Sequence, residues 1–163
     1  MLAAAECNGR VVAHWLTSYS MWADALLAAE RSHLVRLLAW GASSVLLGTA
    51  TFALLTARRR SSPLLTHFAI QTAAWGAVDL AICAAAWHSL ALRDLAGAVR
   101  LDRFIWFNIG LDAGYVAVGG TLAIVGWKLA RTQGLVGAGI GVAVQGTALF
   151  LLDLILASAI ARG

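Results

Sequence analysis

Four stretches of this chain, 34–57, 66–88, 104–127 and 135–160, are each apolar for long enough to cross a bilayer. A helical span needs about 20 mostly apolar residues, and a segment in lipid must pair every backbone polar group within itself, which leaves the helix. The composition agrees: 61% of residues are hydrophobic and 12% charged, against about 25% charged in a typical soluble domain. Short connections join the runs, so the expected fold is all-α, an integral membrane four-helix up-and-down bundle. The lone proline, Pro63, falls in the first connection, "RRRSSP", where it breaks no helix.

Residues 1–32 form a tail ahead of the spanning domain, 33–163. Within the tail Val11, Val12, Trp15, Tyr19, Trp22 and Leu26 recur at threes and fours, the pattern of an amphipathic helix lying in the interface with aromatic anchors. The opening "MLAAAECNGR" has neither the basic nor the apolar region of a signal peptide, so the first span is expected to direct insertion. The formal charge of +4 comes from arginine-rich connections, which speaks to topology rather than to nucleic acid. Arg58, Arg59, Arg60, Lys128 and Arg131 crowd the first and third connections without acids, which places those connections in the cytoplasm and both termini outside. Cys7 and Cys83 have no metal-site spacing, and Cys83 lies deep in an apolar run as a packing residue.

Polar residues inside the runs repeat. "QTAAWGAVDL" from Gln71 and "QGTALFLLDL" from Gln145 both place Asp eight residues after Gln, 74 residues apart; "GTATFALLTARR" from Gly48 resembles "GTLAIVGWKLAR" from Gly120, 72 apart. The second hairpin reads as a copy of the first, with a small insertion in the third connection. Two hairpins of even span number share one orientation, so the repeat axis runs along the membrane normal. At 100° per residue, Gln71, Trp75 and Asp79 share a stripe on the second helix, as do Gln145 and Asp153 on the fourth and Asn108, Asp112 and Tyr115 on the third. Arg36, Trp40 and Ser43 share one on the first, aligned by the repeat with Asn108, Asp112 and Tyr115. Polar stripes facing lipid would be unpaired, so all four should face the bundle axis and line one polar cavity, open on the side of the second connection.

Three aspartates with one arginine there, Arg36 serving as counter-ion, leave the other acids to be protonated, hydrated or bound to a cation. That points to a site for a proton, a small cation or a polar ligand. Asp79, Asp112 and Asp153 would carry the charge, and Asn108, Tyr115, Gln71, Gln145, Trp40 and Trp75 would line or orient. The competing reading is a hydrogen-bond network that fixes helix register. Haem is disfavoured: His33 and His88 sit at helix ends and His67 at the opposite end. No Glu-x-x-His pair suggests a carboxylate-bridged metal, and no nucleophile elbow, phosphate loop or zinc motif suggests an enzyme. No cofactor is expected. Gly110 and Gly114 lie nearly opposite Asn108 and Asp112, a small-residue face for a second copy or a larger membrane complex.

"AERSHLVRLLAWGASSVLLG", "THFAIQTAAWGAVDLAI", "LDRFIWFNIGLDAGYVAVGGTL" and "VQGTALFLLDL" together resemble the landmarks of a bacterial family of small four-span membrane proteins, catalogued as a domain of unknown function. The resemblance covers about Ala29 to Leu154, and "FNIGLDAGY" is its most specific part. It implies a bacterial inner-membrane protein and carries no activity. Asp79 departs from the family's frequent Asn, so that acid need not belong to any shared chemistry.

Overall fold

A computed structural model describes the backbone of residues 2–162 and the side chains of residues 21–162. It contains four helices: α1 (Leu2–Ala57), α2 (Pro63–His88), α3 (Leu95–Lys128) and α4 (Gln133–Ile160). Each is long and apolar enough to cross a membrane, α1 from Met21 onward, which makes this a multi-pass membrane protein. The side chains of Val11, Val12, Trp15 and Tyr19 lie outside the described residues.

The helix boundaries follow local chemistry. Ser62 caps α2, its hydroxyl accepting from Leu65 N at 3.4 Å, and Pro63 takes the first helical position, where its missing N–H costs nothing. Asp94 caps α3 by accepting from Gly97 N at 2.7 Å. That cap corrects the expected start of α3: most of "SLALRDLAGAVRLDR" is helix, and the second connection shrinks to residues 89–94. Among the described residues no break separates the tail from the first span. α1 runs unbroken through residues 27–36, "LAAERSHLVR", where strong helix formers and the absence of Gly or Pro give the chain no reason to turn.

Helices pack mainly within hairpins, α1 on α2 and α3 on α4, and the hairpins join through α2 and α4. Glycine makes the close approaches. A Cβ at Gly76 would meet Gly41 O, Ser44 Cβ and Val45 N; one at Gly146 would meet Asp112 O, Tyr115 Cβ and Val116 N. A Cβ at Gly48 would meet Ala69 and Ala73, and one at Gly119 would meet Gly139 and Ala143. The two hairpins therefore pack in one register, with α1 mapping onto α3 at an offset of 71 and α2 onto α4 at 70. The contact across the repeat is reciprocal as well: Gly137 abuts Leu64 while Gly134 abuts His67, and Gln71 meets its own mate, Gly141.

This register corrects the sequence alignment at offsets of 72 and 74. Gln145 corresponds to Trp75, not Gln71; Asp153 corresponds to Cys83, not Asp79. An error of four residues is about one helical turn, which keeps the face and shifts the depth. The extra residue lies in the first connection, residues 58–62, against 129–132 in the third. Both turns contain an arginine with positive φ, Arg59 at 49° and Arg131 at 53°.

The apolar core sits toward the second connection. Leu34, Leu37 and Cys83 pack with Leu149 and Leu152, and Ile105, Ile109, Leu156 and Ala157 pack with Leu101 and Phe150. Large side chains such as Leu46, Leu47, Phe107 and Ile124 point outward, where lipid covers them.

Candidate functional site

Between the two apolar clusters lies a polar group drawn from all four helices. Trp40 on α1 donates from Nε1 to Gln145 Oε1 on α4 at 3.1 Å. Gln145 in turn donates from Nε2 to Asp79 Oδ2 on α2 at 2.5 Å. Gln145 is thus a bridge, accepting from an indole and donating to a carboxylate. Asp79 is the largest fully buried side chain among the described residues, 1% exposed. Asp112 on α3 is also buried and lies within electrostatic reach of both Asp79 and Asp153. Its Oδ2 has no hydrogen-bond partner. Asp153 on α4 faces His33 on α1, Nε2 to Oδ1 3.4 Å.

These positions follow from helical spacing. On α1 the buried stripe is Glu30, His33, Leu34, Leu37, Gly41, Ser44 and Gly48, spaced by threes and fours so that it turns to α2 and α4 throughout. Trp40 lies at the edge of that stripe, half-buried, with its ring N–H reaching inward. Arg36 lies outside it. The structure overturns the assignment of Arg36 as internal counter-ion: it is exposed and donates to Ser32 Oγ at 2.9 Å. A long basic side chain near a span end extends toward water, and the basic group facing an acid inside is His33. Ser43 is exposed too.

Of the remaining expected residues, Tyr115 and Trp75 meet edge to face, ring centroids 5.2 Å apart, and link α3 to α2 where their backbones nowhere come within 8 Å. Gln71 packs against Gly141 near the repeat axis, away from the acids. Asn108 is half-buried, beside the stripe of Ile105, Ile109 and Asp112. In place of the expected open cavity the three carboxyl side chains are buried, on residues 1–8% exposed. His33 and His88 do not meet, since His33 is buried on Asp153 while His88 is exposed.

At the rim, Arg93 of the second connection donates to both oxygens of Glu30 at 2.6 and 2.8 Å. This fork holds the connection against α1 one turn before His33, and it raises the Arg93 guanidinium further above its usual range. Sequence reading missed both His33 and Glu30, although each falls on the buried stripe of α1. At the opposite end of the bundle a shallow pocket of about 480 Å³ lies between Pro63, His67, Thr132 and Gly134, remote from the acids. Among the described residues no three His, Cys, Asp or Glu side chains converge at metal-ligand distance.

Neither a curated protein nor a solved structure matches the chain. Residues 36–154 match a family described as "Family of unknown function (DUF6992)". That stretch contains Trp40, Asp79, Asp112, Gln145 and Asp153, and leaves Glu30 and His33 just before it. With most of its length inside the match, the chain belongs to the DUF6992 family.

Proposed function

We propose that this protein belongs to a bacterial inner membrane and holds in its bundle core a carboxylate site that binds or passes a proton, a small cation or a small polar ligand. The observation that carries the reading is Asp112. Its carboxylate is buried between two other acids and one of its oxygens is unpartnered. A buried carboxylate oxygen without a donor is costly, and an aspartate at mid-helix costs roughly 2.5–3.5 kcal/mol on insertion scales. Asp79 and Asp112 together therefore cost about 5–7 kcal/mol on that scale. A device that only fixed helix register would pair its polar groups across helices, as Trp40 Nε1, Gln145 and Asp79 Oδ2 do.

The test is a thermal-shift titration of detergent-purified protein from about pH 5 to about pH 9, with sodium, potassium or choline, on wild type and Asp112→Asn. A ligand at 100 times its Kd stabilises by about 2.7 kcal/mol. Stabilisation of the wild type by protons or by a cation, lost in the variant, is the expected result. Equal responses in the two proteins, or a variant more stable at every pH, would make the cluster a packing device. The dense arginines of the first connection favour a cytoplasmic place for it, with the termini outside.

A second reading is an accessory subunit of a larger membrane complex. It is favoured by Gly110 and Gly114, where an added Cβ would meet nothing within 4 Å, so that this face of α3 is open to a neighbour. Copurification with another protein in fixed stoichiometry, lost on Gly110→Leu, would support it.

A further inference from the structure

We infer that the acid cluster is a blind proton well, reached from the face of the second connection through the His33–Asp153 pair and closed toward the other face. This rests on the charge-binding reading above and narrows it, naming the ligand as the proton and the role as binding rather than passage.

Exposure marks the mouth. His33 and Asp153 retain 8% each, Asp112 4% and Asp79 1%, a gradient from rim to interior. The charged and titratable groups along the well are Glu30, His33 and Arg36 on α1, Arg93 on the second connection, Asp153 on α4, and, deeper, Asp112 on α3 and Asp79 on α2. Below Asp79 the chain of polar groups ends at Gln145 and Trp40.

The floor is dry. Among the described residues, Gln145 and Ser44 are the last buried polar side chains on the way to the first and third connections. Gln145 is 12 residues from the start of α4 at Gln133, about 18 Å of helix. That interval is filled by approaches between small residues and backbone: Gly48 on Ala69 and Ala73, Gly119 on Gly139 and Ala143, Gly137 on Leu64. The inward polar side chain in that interval is Gln71, half-buried on Gly141 and without a hydrogen bond to the cluster, an amide that holds no titratable proton.

The site also suits a proton better than a metal ion. Among the described residues no three His, Cys, Asp or Glu side chains converge at metal-ligand distance, whereas calcium takes six to eight oxygens and magnesium near-octahedral surroundings. A proton needs one. When Asp153 takes a proton from hydronium, releasing water, it becomes a neutral acid; passing that proton to Asp112 restores the Asp153 carboxylate and neutralises Asp112, a transfer that leaves the charge of the cluster unchanged.

The test uses the full chain in liposomes. An internal pH dye under a potassium diffusion potential reads flux, and the infrared carboxylic-acid band of the same vesicles is followed through pH steps and transfer to D2O. The proteins are wild type, Asp112→Asn and His33→Phe, with His33→Gln as a second, polar replacement should the phenylalanine variant fold poorly. Expected are a wild-type band that grows as pH falls, is smaller in Asp112→Asn, and is accompanied by no flux above protein-free vesicles. Removing His33 should slow deuterium exchange of the band by about tenfold or more. Steady flux abolished by Asp112→Asn would overturn the closed floor while leaving the charge-binding reading intact. Unchanged exchange without His33 would overturn the assigned mouth. A wild-type band indifferent to pH would defeat proton binding itself.

Discussion

Gly119 and Gly120 are adjacent in sequence, and the packing register predicts opposite outcomes for alanine at the two positions. A Cβ at Gly119 would lie 2.4 Å from Ala143 N, 2.7 Å from Gly139 O and 2.9 Å from Ala143 Cα; at Gly120 it would meet nothing within 4 Å. Ordinary contact begins near 3.4 Å, so α3 and α4 must part by about 1 Å, which forfeits a quarter to a half of each contact's dispersion well along the seam. Overpacking of this kind costs about 1–3 kcal/mol, and alanine's higher helix propensity returns about 0.8–1. Gly119→Ala should therefore lower stability by up to about 2 kcal/mol, or several degrees at about 2–4 °C per kcal/mol, whereas Gly120→Ala should hold or raise it. Gly48→Ala, at the equivalent place in the first hairpin, should fall with Gly119→Ala. Thermal shift in detergent, with size exclusion to check the folded state, reads all three. If Gly120→Ala is the damaging substitution and Gly119→Ala is tolerated, Gly48 pairs with Gly120 and the register described here is wrong.

Gln145→Leu removes the partner of both Trp40 and Asp79. It should destabilise by about 1–3 kcal/mol, and Trp40→Phe, which empties only one acceptor, by less; comparable losses in the two would show that Gln145 is not a bridge. Arg93→Met leaves Glu30 buried without its counter-charge and should cost about 1–3 kcal/mol. Arg100→Met, seven residues on and on an exposed side chain, should change stability by less than about 0.5 kcal/mol, and equal effects would refute the clasp. Cys83 is buried, its thiol donating to Leu34 O at 3.4 Å. In a Cys7→Ser background it should resist maleimide until the protein is unfolded in detergent; fast labelling of the folded form would contradict the packing of α1 on α2.

Hydrophobic length made the four spans legible, because lipid permits a long apolar run little besides a helix. Asp79, Asp112, Asp153, Trp40 and Gln145 were legible for a related reason, since polar stripes on spanning helices turn inward. Depth and pairing were not legible. The Gln-to-Asp spacing recurs one turn out of register, and identical letters at equivalent angles concealed that shift. The true register is held by backbone contacts of glycines with alanines and with one another, and residue identity says little about those. Arg36 misled because a rim arginine can share a face with Trp40 and still extend to water. His33 went unseen as an internal group because the first helix was judged to begin beside it, while α1 carries it well inside a continuous helix.

The meeting of Gln71 with Gly141 sets a limit on how alike the two halves can become. On a twofold axis a residue faces its own counterpart, so whatever occupies that position is squared: two glutamines would need the same space, since even a Cβ at Gly141 would lie 2.9 Å from Gln71 Cβ. Two copies of α1–α2 could not close in this arrangement. Two copies of α3–α4 would meet glycine to glycine along Gly134, Gly137 and Gly141 with room to spare. A glycine on at least one side of this contact is thus a condition for the single-chain bundle.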